Sequence, residues 1–430
     1  MPSEGVDHGK IGRRPVLKGI AAGGALLAAP FVAKSALAAN RTIKIGYVSP
    51  ATGPLAPFAA PDDFILGQVR KVLEPGLTIG GKTYQVSILK RDSESNPNRA
   101  ASVASDLILG EKVDLLTSQG TSATNNPAAD QAELNGVPCL STNGPWQSYF
   151  FGRRGDPKVG FEWTYDFFWG LEQVVDAYIA LWDSAKTNHI IGAMFGNDAT
   201  GNAWADPHFG FPPALKKAGY KLIQPGRYQD LTSDFTAQIN AFKAAGVDII
   251  TGNMLPPDFA TFWTQAAQQG LHAKIVTIGK ANLFPSSIRA LGARGNNLSS
   301  EIWWTPNFPF KSGLTGQTAA QLCDAYSKAT GHMWTQPLGY QHALFEVAVD
   351  VLKRTADAGD PKSILHAIAT TNYNSVVGHV EWTGKPVKNI ALTPVVAGQW
   401  RVSSAGKFDL VICENKTAPE IPVGGALRPI

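Results

Sequence analysis

The chain has 430 residues, 44% of them hydrophobic, 10% aromatic and 17% charged, with 43 glycines. This composition excludes a disordered chain, a collagen-like repeat and a small disulfide-stapled scaffold, and the length predicts about two or three domains. Residues 1–38 hold five basic residues against Glu4 and Asp7; taking these from the 38 basic and 34 acidic residues of the whole chain leaves 33 and 32, and so neutral a body argues against a nucleic-acid or anionic-membrane footprint.

In chain order, Gly12-Arg13-Arg14-Pro15-Val16-Leu17-Lys18 precedes a Gly/Ala-rich apolar run, Gly19 to Ala33, and then Lys34-Ser35-Ala36-Leu37-Ala38. A charged, then apolar, then small-residue order predicts a secretory signal cleaved after Ala38. The paired arginines resemble the bacterial twin-arginine (Tat) signal, with Gly12 and Val16 in place of its usual Ser/Thr and Phe. The apolar run is broken by Pro30 and is shorter than the roughly 18 residues a span requires, so the alternative, an uncleaved anchor, is disfavoured. The mature chain is expected to be soluble outside the cytoplasm, in the periplasm.

Apolar alternation and helical periodicity then predict repeated βα units. Strands are expected at Thr42–Ser49, Tyr84–Arg91, Val113–Thr117 and Val137–Ser141, with helices at Asp62–Leu73, Asn98–Leu109 and Asn125–Asn135. A second set follows: strands at Ile190–Phe195, Tyr220–Gln224, Val247–Thr251 and Ala273–Ile278, and helices at Leu171–Ser184, Pro212–Ala218, Phe235–Ala245 and Ala260–Gln269. Helices at Gln317–Thr330, Leu338–Asp357 and Pro361–Thr370 precede a strand-rich end. Such units build a parallel sheet covered by helices. Three crossings, near 161–164, 303–306 and 376–380, divide the chain into two lobes: 39–162 with 305–377, and 163–304 with 378–430. Two open α/β sheets whose carboxyl edges face each other across hinges form a closing trap.

Short motifs in this order resemble the solute-binding proteins of ABC importers, of the type I, branched-chain amino acid-binding family. They are Ile43-Lys44-Ile45-Gly46 with Thr52-Gly53-Pro54, Asp92 with Pro97, Val113-Asp114, Gly120-Thr121-Ser122 with Pro127, and Gly136-Val137-Pro138 with Ser141. In the second half come Asp234-Phe235 with Ile239, Val247-Asp248, Gln265-Ala266 with Gly270, and Tyr340 with Ala343. The likeness runs from about residue 41 to 413, and its strength lies in order and spacing.

The resemblance implies an α/β type I periplasmic-binding-protein fold of two Rossmann-like lobes, a monomer without cofactor or metal, and permease and Tat-machinery partners. It also implies a pocket. Gly120, Thr121 and Ser122 correspond to the family's carboxylate loop at a helix N-terminus, where free amides and the helix dipole favour an anion; the alternative is that Thr121, Ser122 or Thr124 merely caps that helix. Ser141, Asn143, Gly144 and Trp146 form the second contact segment, with Trp146 as a flat wall or as core. Phe58 corresponds to an aromatic over the ligand. Asp198 and Thr200, then Asn253, occupy loops where relatives commonly have tyrosines, and Tyr340 reaches either cleft or core. Trp163, Trp303 and Trp304 fall at the crossings, for ligand contact or hinge packing. Lys280 stands where amino acid binders usually place a carboxylate for the ligand ammonium. A lysine cannot accept that hydrogen bond, so Lys280 predicts an amine-free ligand: a carboxylate, amide or aromatic acid. The alternative is a solvated Lys280 with the acid supplied elsewhere.

Gly76 to Thr83 satisfies GxxxxGK[ST], but a helix precedes it and a strand follows, the reverse of a phosphate loop, so a turn is expected. Cys139, Cys323 and Cys413 permit one disulfide at most. No GxSxG elbow or clustered triad points to an enzyme. The rival to transport is a sensing module that reports to a membrane receptor.

Overall fold

The computed structural model describes residues 41–403 and 406–430; the expected export segment lies outside them. Among the described residues, sixteen strands run in chain order: β1 (Thr42–Ser49), β2 (Leu77–Ile79), β3 (Lys82–Asp92), β4 (Leu115–Gln119), β5 (Cys139–Thr142), β6 (Thr164–Phe168), β7 (Ile190–Phe195), β8 (Lys221–Ile223), β9 (Ile249–Met254), β10 (Ile275–Lys280), β11 (Ser299–Ile302), β12 (Asn372–Ser375), β13 (Gly378–Glu381), β14 (Ile390–Leu392), β15 (Val396–Val402) and β16 (Phe408–Glu414). One sheet has the order β14-β6-β5-β4-β1-β3-β2, the other β16-β15-β11-β10-β9-β7-β8. β12 and β13 form a separate two-stranded sheet, and pairing is parallel except for β12 with β13, β2 with β3, and β15 with β11 and β16. No helix among the described residues is long and apolar enough to cross a membrane.

Local sequence explains the elements that position the site. The helix Asp62–Leu73 starts on two aspartates, which suit the positive end of the helix dipole, and buries Ile65, Leu66, Val69 and Leu73 along one stripe. Gly76 to Thr83 is a hairpin: β2 pairs antiparallel with β3 around Gly80 and Gly81, at φ +55° and +77°, as a tight two-residue turn of this hand requires. The phosphate-loop pattern is therefore a turn between strands.

Sheet membership corrects the expected lobe boundaries. β6 was assigned to the second lobe, yet it pairs with β5 in the first sheet, and β14 pairs with β6. The first crossing is therefore Trp169–Gly170 rather than 161–164. The second follows β11 at Trp303, and the third is Thr393–Val395 rather than 376–380. The aromatic and polar stretch Trp163 to Trp169 hid β6, whose central Asp166 is fully buried.

The helix Pro337–Arg354 braces all this from the first lobe. Just before it, Gln336 accepts from the Trp303 backbone N–H at 2.7 Å and donates to the Glu301 carbonyl at 3.2 Å, clamping the second crossing. Tyr340 hydrogen-bonds Thr393 at 2.7 Å, holding the third. A Cβ on Gly339 would overlap the Trp304 ring. Gly339→Ala should accordingly destabilise the chain by about 2 kcal/mol, read as a lower urea midpoint; an unchanged midpoint would show that the hinge side tolerates repacking.

Candidate functional site

The carboxyl ends of β1, β4 and β5 face those of β7, β9 and β10 across a cleft, and the crossings close its floor. Deep in it lies a tight aromatic-walled pocket with about 20 Å³ of space, lined by Phe58, Thr121, Asn143, Pro145, Phe168 and Trp169 from the first lobe and first crossing, and by Thr200, Asn253, Lys280, Leu283, Glu301 and Trp303 from the second. Six of the thirteen expected site residues meet there: Phe58, Thr121, Asn143, Thr200, Asn253 and Lys280. Ser122 and Asp198 line the outer cleft instead, beside Asn126, Asp130 and Asp230.

Six polar atoms of the residues lining the pocket are unsatisfied. Thr121 Oγ1, Asn143 Oδ1, Thr200 Oγ1, Asn253 Oδ1 and the indole nitrogens of Trp169 and Trp303 are all buried without a protein partner among the described residues. Each such group costs about 1–3 kcal/mol unless a ligand or water takes it up. Six around one cavity mark a place built to receive a polar solute with an apolar body.

Why these atoms are free follows from the local fold. Thr121 is the N-cap of the helix Ser122–Asn135, in extended conformation, but its hydroxyl makes no capping bond. Ser122 Oγ is engaged by Ser148 and Thr124 Oγ1 bonds back to the Thr121 carbonyl at 3.3 Å. Thr121 thus keeps its hydroxyl for the cavity, beside a helix N-terminus with its free amides. Asn143, at φ +72°, donates through Nδ2 to Gln119 Oε1 at 3.0 Å, which leaves its Oδ1 over the pocket. Gln119 in turn donates to Ser49 Oγ at 2.7 Å, tying together the strand ends where the sheet order reverses.

Lys280 ends β10 with φ +58° and ψ −66°, a sparsely populated conformation that costs of order 1–3 kcal/mol. Its side chain is only 5% exposed and forms an ion pair with Asp198, which also caps the helix Ala199–Trp204 by accepting from Gly201 N–H at 2.6 Å. The solvated alternative is thereby replaced by a buried, paired lysine on the pocket wall. Glu301, which the sequence did not single out, is the pocket's carboxyl group. Burial pushes its pKa above the usual carboxylate range, and it already accepts from Tyr178 and Ser300. Burial and the nearby Asp198 raise Asp230, and burial pushes Asp258 up to about 6.

Five expected residues line neither cavity. Trp146 packs on Phe150 and Phe151 and donates its indole N–H to Glu172 Oε1 at 3.0 Å, so Trp169 and Trp303 supply the wall expected of it. Ser141 lies within β5, hydrogen-bonded to Ser118 at 2.9 Å. Gly120 and Gly144 pack closely against Thr124 and Ser122. Tyr340 stands behind the pocket, edge-on to Phe168 and Trp303 at 5.0 Å. Of the crossing tryptophans, Trp303 lines the pocket, while Trp304 is buried at the hinge, its indole donating to the Val376 carbonyl at 3.1 Å. All three cysteines are free.

Two α/β lobes with a pocket between their facing strand ends define a two-lobed binding protein of type I architecture. The chain belongs to the periplasmic binding protein family, whose sequence pattern it matches over residues 42–407. Among solved structures, a leucine binding protein from Thermotoga maritima is similar at 18% identity, covering 87% of this chain and 99% of that one with a TM-score of 0.69. A branched-chain amino acid transporter substrate binding protein from Streptococcus pneumoniae, in complex with isoleucine, is 18% identical, with 86% and 100% covered and a TM-score of 0.66. An ABC transporter solute binding protein from R. palustris, in complex with 4-hydroxybenzoate, is 19% identical, with 87% and 96% covered and a TM-score of 0.69.

Proposed function

We propose that the chain is the solute-binding component of an ABC importer, exported by the twin-arginine route, and that it captures an amine-free organic acid or amide with a planar or apolar body. The observation that carries this reading is the ring of six orphaned polar atoms around an aromatic-walled cavity between the lobes. The Thr121 hydroxyl with the adjacent helix amides and the Lys280 ammonium are the groups proposed to hold the anionic or carbonyl ends, while Phe58, Phe168, Trp169 and Trp303 enclose the body. An amino acid ammonium fits less well. Glu301 already accepts two hydrogen bonds, burial favours its neutral form, and Asp198 is paired with Lys280. Structural relatives carrying isoleucine and 4-hydroxybenzoate span both ligand types, so the choice rests on Lys280. The protein acts by binding, delivering the closed form to a permease, since capture requires contacts that exist only when both lobes touch the solute.

A thermal-shift screen against aromatic and aliphatic carboxylates, amides and branched-chain amino acids tests this. A ligand at about 100 times its dissociation constant adds roughly 2.7 kcal/mol. The largest rise in melting temperature is expected among amine-free acids or amides. A rise confined to amino acids would keep capture and overturn the ligand class.

A further inference from the structure

The side-chain amide of Gln119 has one orientation open to it. Gln119 ends β4, is fully buried and does not line the pocket. Its Nε2 lies 2.7 Å from Ser49 Oγ, at the end of β1, and 3.4 Å from the Phe58 carbonyl, which also accepts from Gln341 Nε2 at 2.6 Å. A carbonyl only accepts, so the end of Gln119 turned towards it is the nitrogen, and the oxygen, Oε1, faces Asn143. An oxygen there takes only a donor. Asn143 gives it Nδ2 at 3.0 Å, and its own Oδ1, buried and without a protein partner among the described residues, is the end left for the pocket. Turning both amides over would set the Gln119 oxygen against the Phe58 carbonyl and strand two acceptors together.

We propose that Gln119 is a positioning residue that fixes the Asn143 side chain as a hydrogen-bond acceptor, and that the amine-free solute therefore carries an N–H or O–H donor beside its acceptors, as a carboxamide or a hydroxy acid does. Around Asn143, the indole N–H groups of Trp169 and Trp303 and the Lys280 ammonium only donate, so the solute's acceptors go to them. A plain carboxylate has acceptors alone. It offers nothing to Asn143 Oδ1, and an acceptor left buried and unpaired weakens binding by about 5- to 150-fold. The requirement on the solute rests on this pocket being the capture site, whereas the orientation of the two amides is measurable with no ligand present.

Side-chain amide exchange, followed by NMR on the ligand-free chain, tests the orientation. The Asn143 Nδ2 protons, assigned by their loss in Asn143→Asp, are expected to exchange at least about 10-fold more slowly than those of the exposed Asn98, as a buried hydrogen-bonded donor does. Gln119→Leu removes the acceptor and should abolish that protection, while Gln119→Glu, which keeps an oxygen facing Asn143, should retain it. Asn143 protons that exchange in wild type as fast as those of Asn98 overturn the role of Gln119. Titration calorimetry with isosteric probe pairs tests the consequence: N-methylbenzamide with methyl benzoate, and 4-hydroxybenzoate with 4-fluorobenzoate, each pair differing by one donor. In wild type the donor-bearing member should bind about 5- to 150-fold more tightly, and in Gln119→Leu, where Asn143 is free to turn, the two should come within about threefold. A donor-free probe that binds wild type as tightly as its partner overturns the donor requirement alone. Binding by neither pair overturns it together with the ligand class, and the exchange rates still decide Gln119 by themselves.

Discussion

Replacing Lys280 by methionine is expected to cost the fold about 3 kcal/mol, because removing one partner of a buried ion pair leaves the other charge uncompensated. Lys280 and Asp198 are 5% and 13% exposed at their side chains, and Asp198 cannot turn to solvent without releasing Gly201 N–H and the helix Ala199–Trp204. The double variant Lys280→Met/Asp198→Asn should return to within about 1 kcal/mol of wild type, since asparagine keeps the cap and removes the stranded charge.

Binding separates these effects. If Lys280 receives the anionic end of the solute, the double variant should fold normally and yet bind the best acid of the thermal-shift screen at least about 30-fold more weakly. Asp198→Asn alone frees the ammonium from its partner, and tighter acid binding is expected. Urea unfolding gives the stabilities and titration calorimetry the affinities. An affinity for that acid within threefold of wild type in the double variant would remove Lys280 from the site. The strained backbone at Lys280 supports its placement there, since such a conformation persists only where its surroundings enforce it.

How much of this is legible in the letters depends on where polar residues lie. β1 and the helix Asp62–Leu73 have the bounds expected, because their apolar periodicity is clean and the helix opens on acids. β11, Ser299–Ile302, was missed because its polar letters hide a central strand: Ser299 donates to the Val276 carbonyl on the neighbouring strand and Ser300 to the adjoining Glu301 carboxyl group, and both so become buriable. The helix expected from Asn125 starts at Ser122 for a similar reason. Its first turns bury Ser122, Thr124, Asn125 and Asn126, of which Asn125 donates to the Thr142 carbonyl of β5 and Asn126 to the Ser148 carbonyl in the short helix Trp146–Phe150. Of the residues lining the pocket, the sequence singled out those of the strand-end loops and Trp303 at the second crossing, but not Phe168, Trp169 or Glu301. Phe168, Trp169, Glu301 and Trp303 reach the cavity only because two distant crossings lie side by side, a relation that no local spacing encodes. Trp146 shows the converse. It opens the short helix that follows β5, where Glu172, 26 residues away, draws its indole aside.

The helix Pro337–Arg354 carries a second buried ionisable group whose effect is large. Glu346 is fully buried in the first lobe. It accepts from the Val376 N–H at 2.9 Å and from the Leu314 N–H at 3.5 Å, and burial pushes its pKa up to about 7 from an ordinary 4.5. A carboxyl raised in the folded state holds its proton more tightly there than in the unfolded chain. Its contribution is therefore complete below about pH 4.5 and is lost as pH rises through about 7, a span of about 3 kcal/mol. His342, one turn earlier, works against it. Burial lowers its pKa to about 4, so the unfolded chain takes up its proton first and stability rises from about pH 4 to the ordinary histidine value of 6.5. The two slopes nearly cancel between pH 4.5 and 6.5, and only the Glu346 loss remains near neutrality. Glu346→Gln keeps an acceptor for the Val376 amide, the shorter of the two bonds, and removes the titration. The variant should thus match wild type near pH 4.5 and exceed it by up to about 3 kcal/mol at pH 8, with its stability now rising across the acid range under the unopposed histidine. Urea unfolding at pH 4.5, 6 and 8 measures the difference. A variant less stable than wild type at pH 8 would mean that the ionised carboxylate is held by its neighbours rather than merely tolerated, reversing the sign of its role in the lobe.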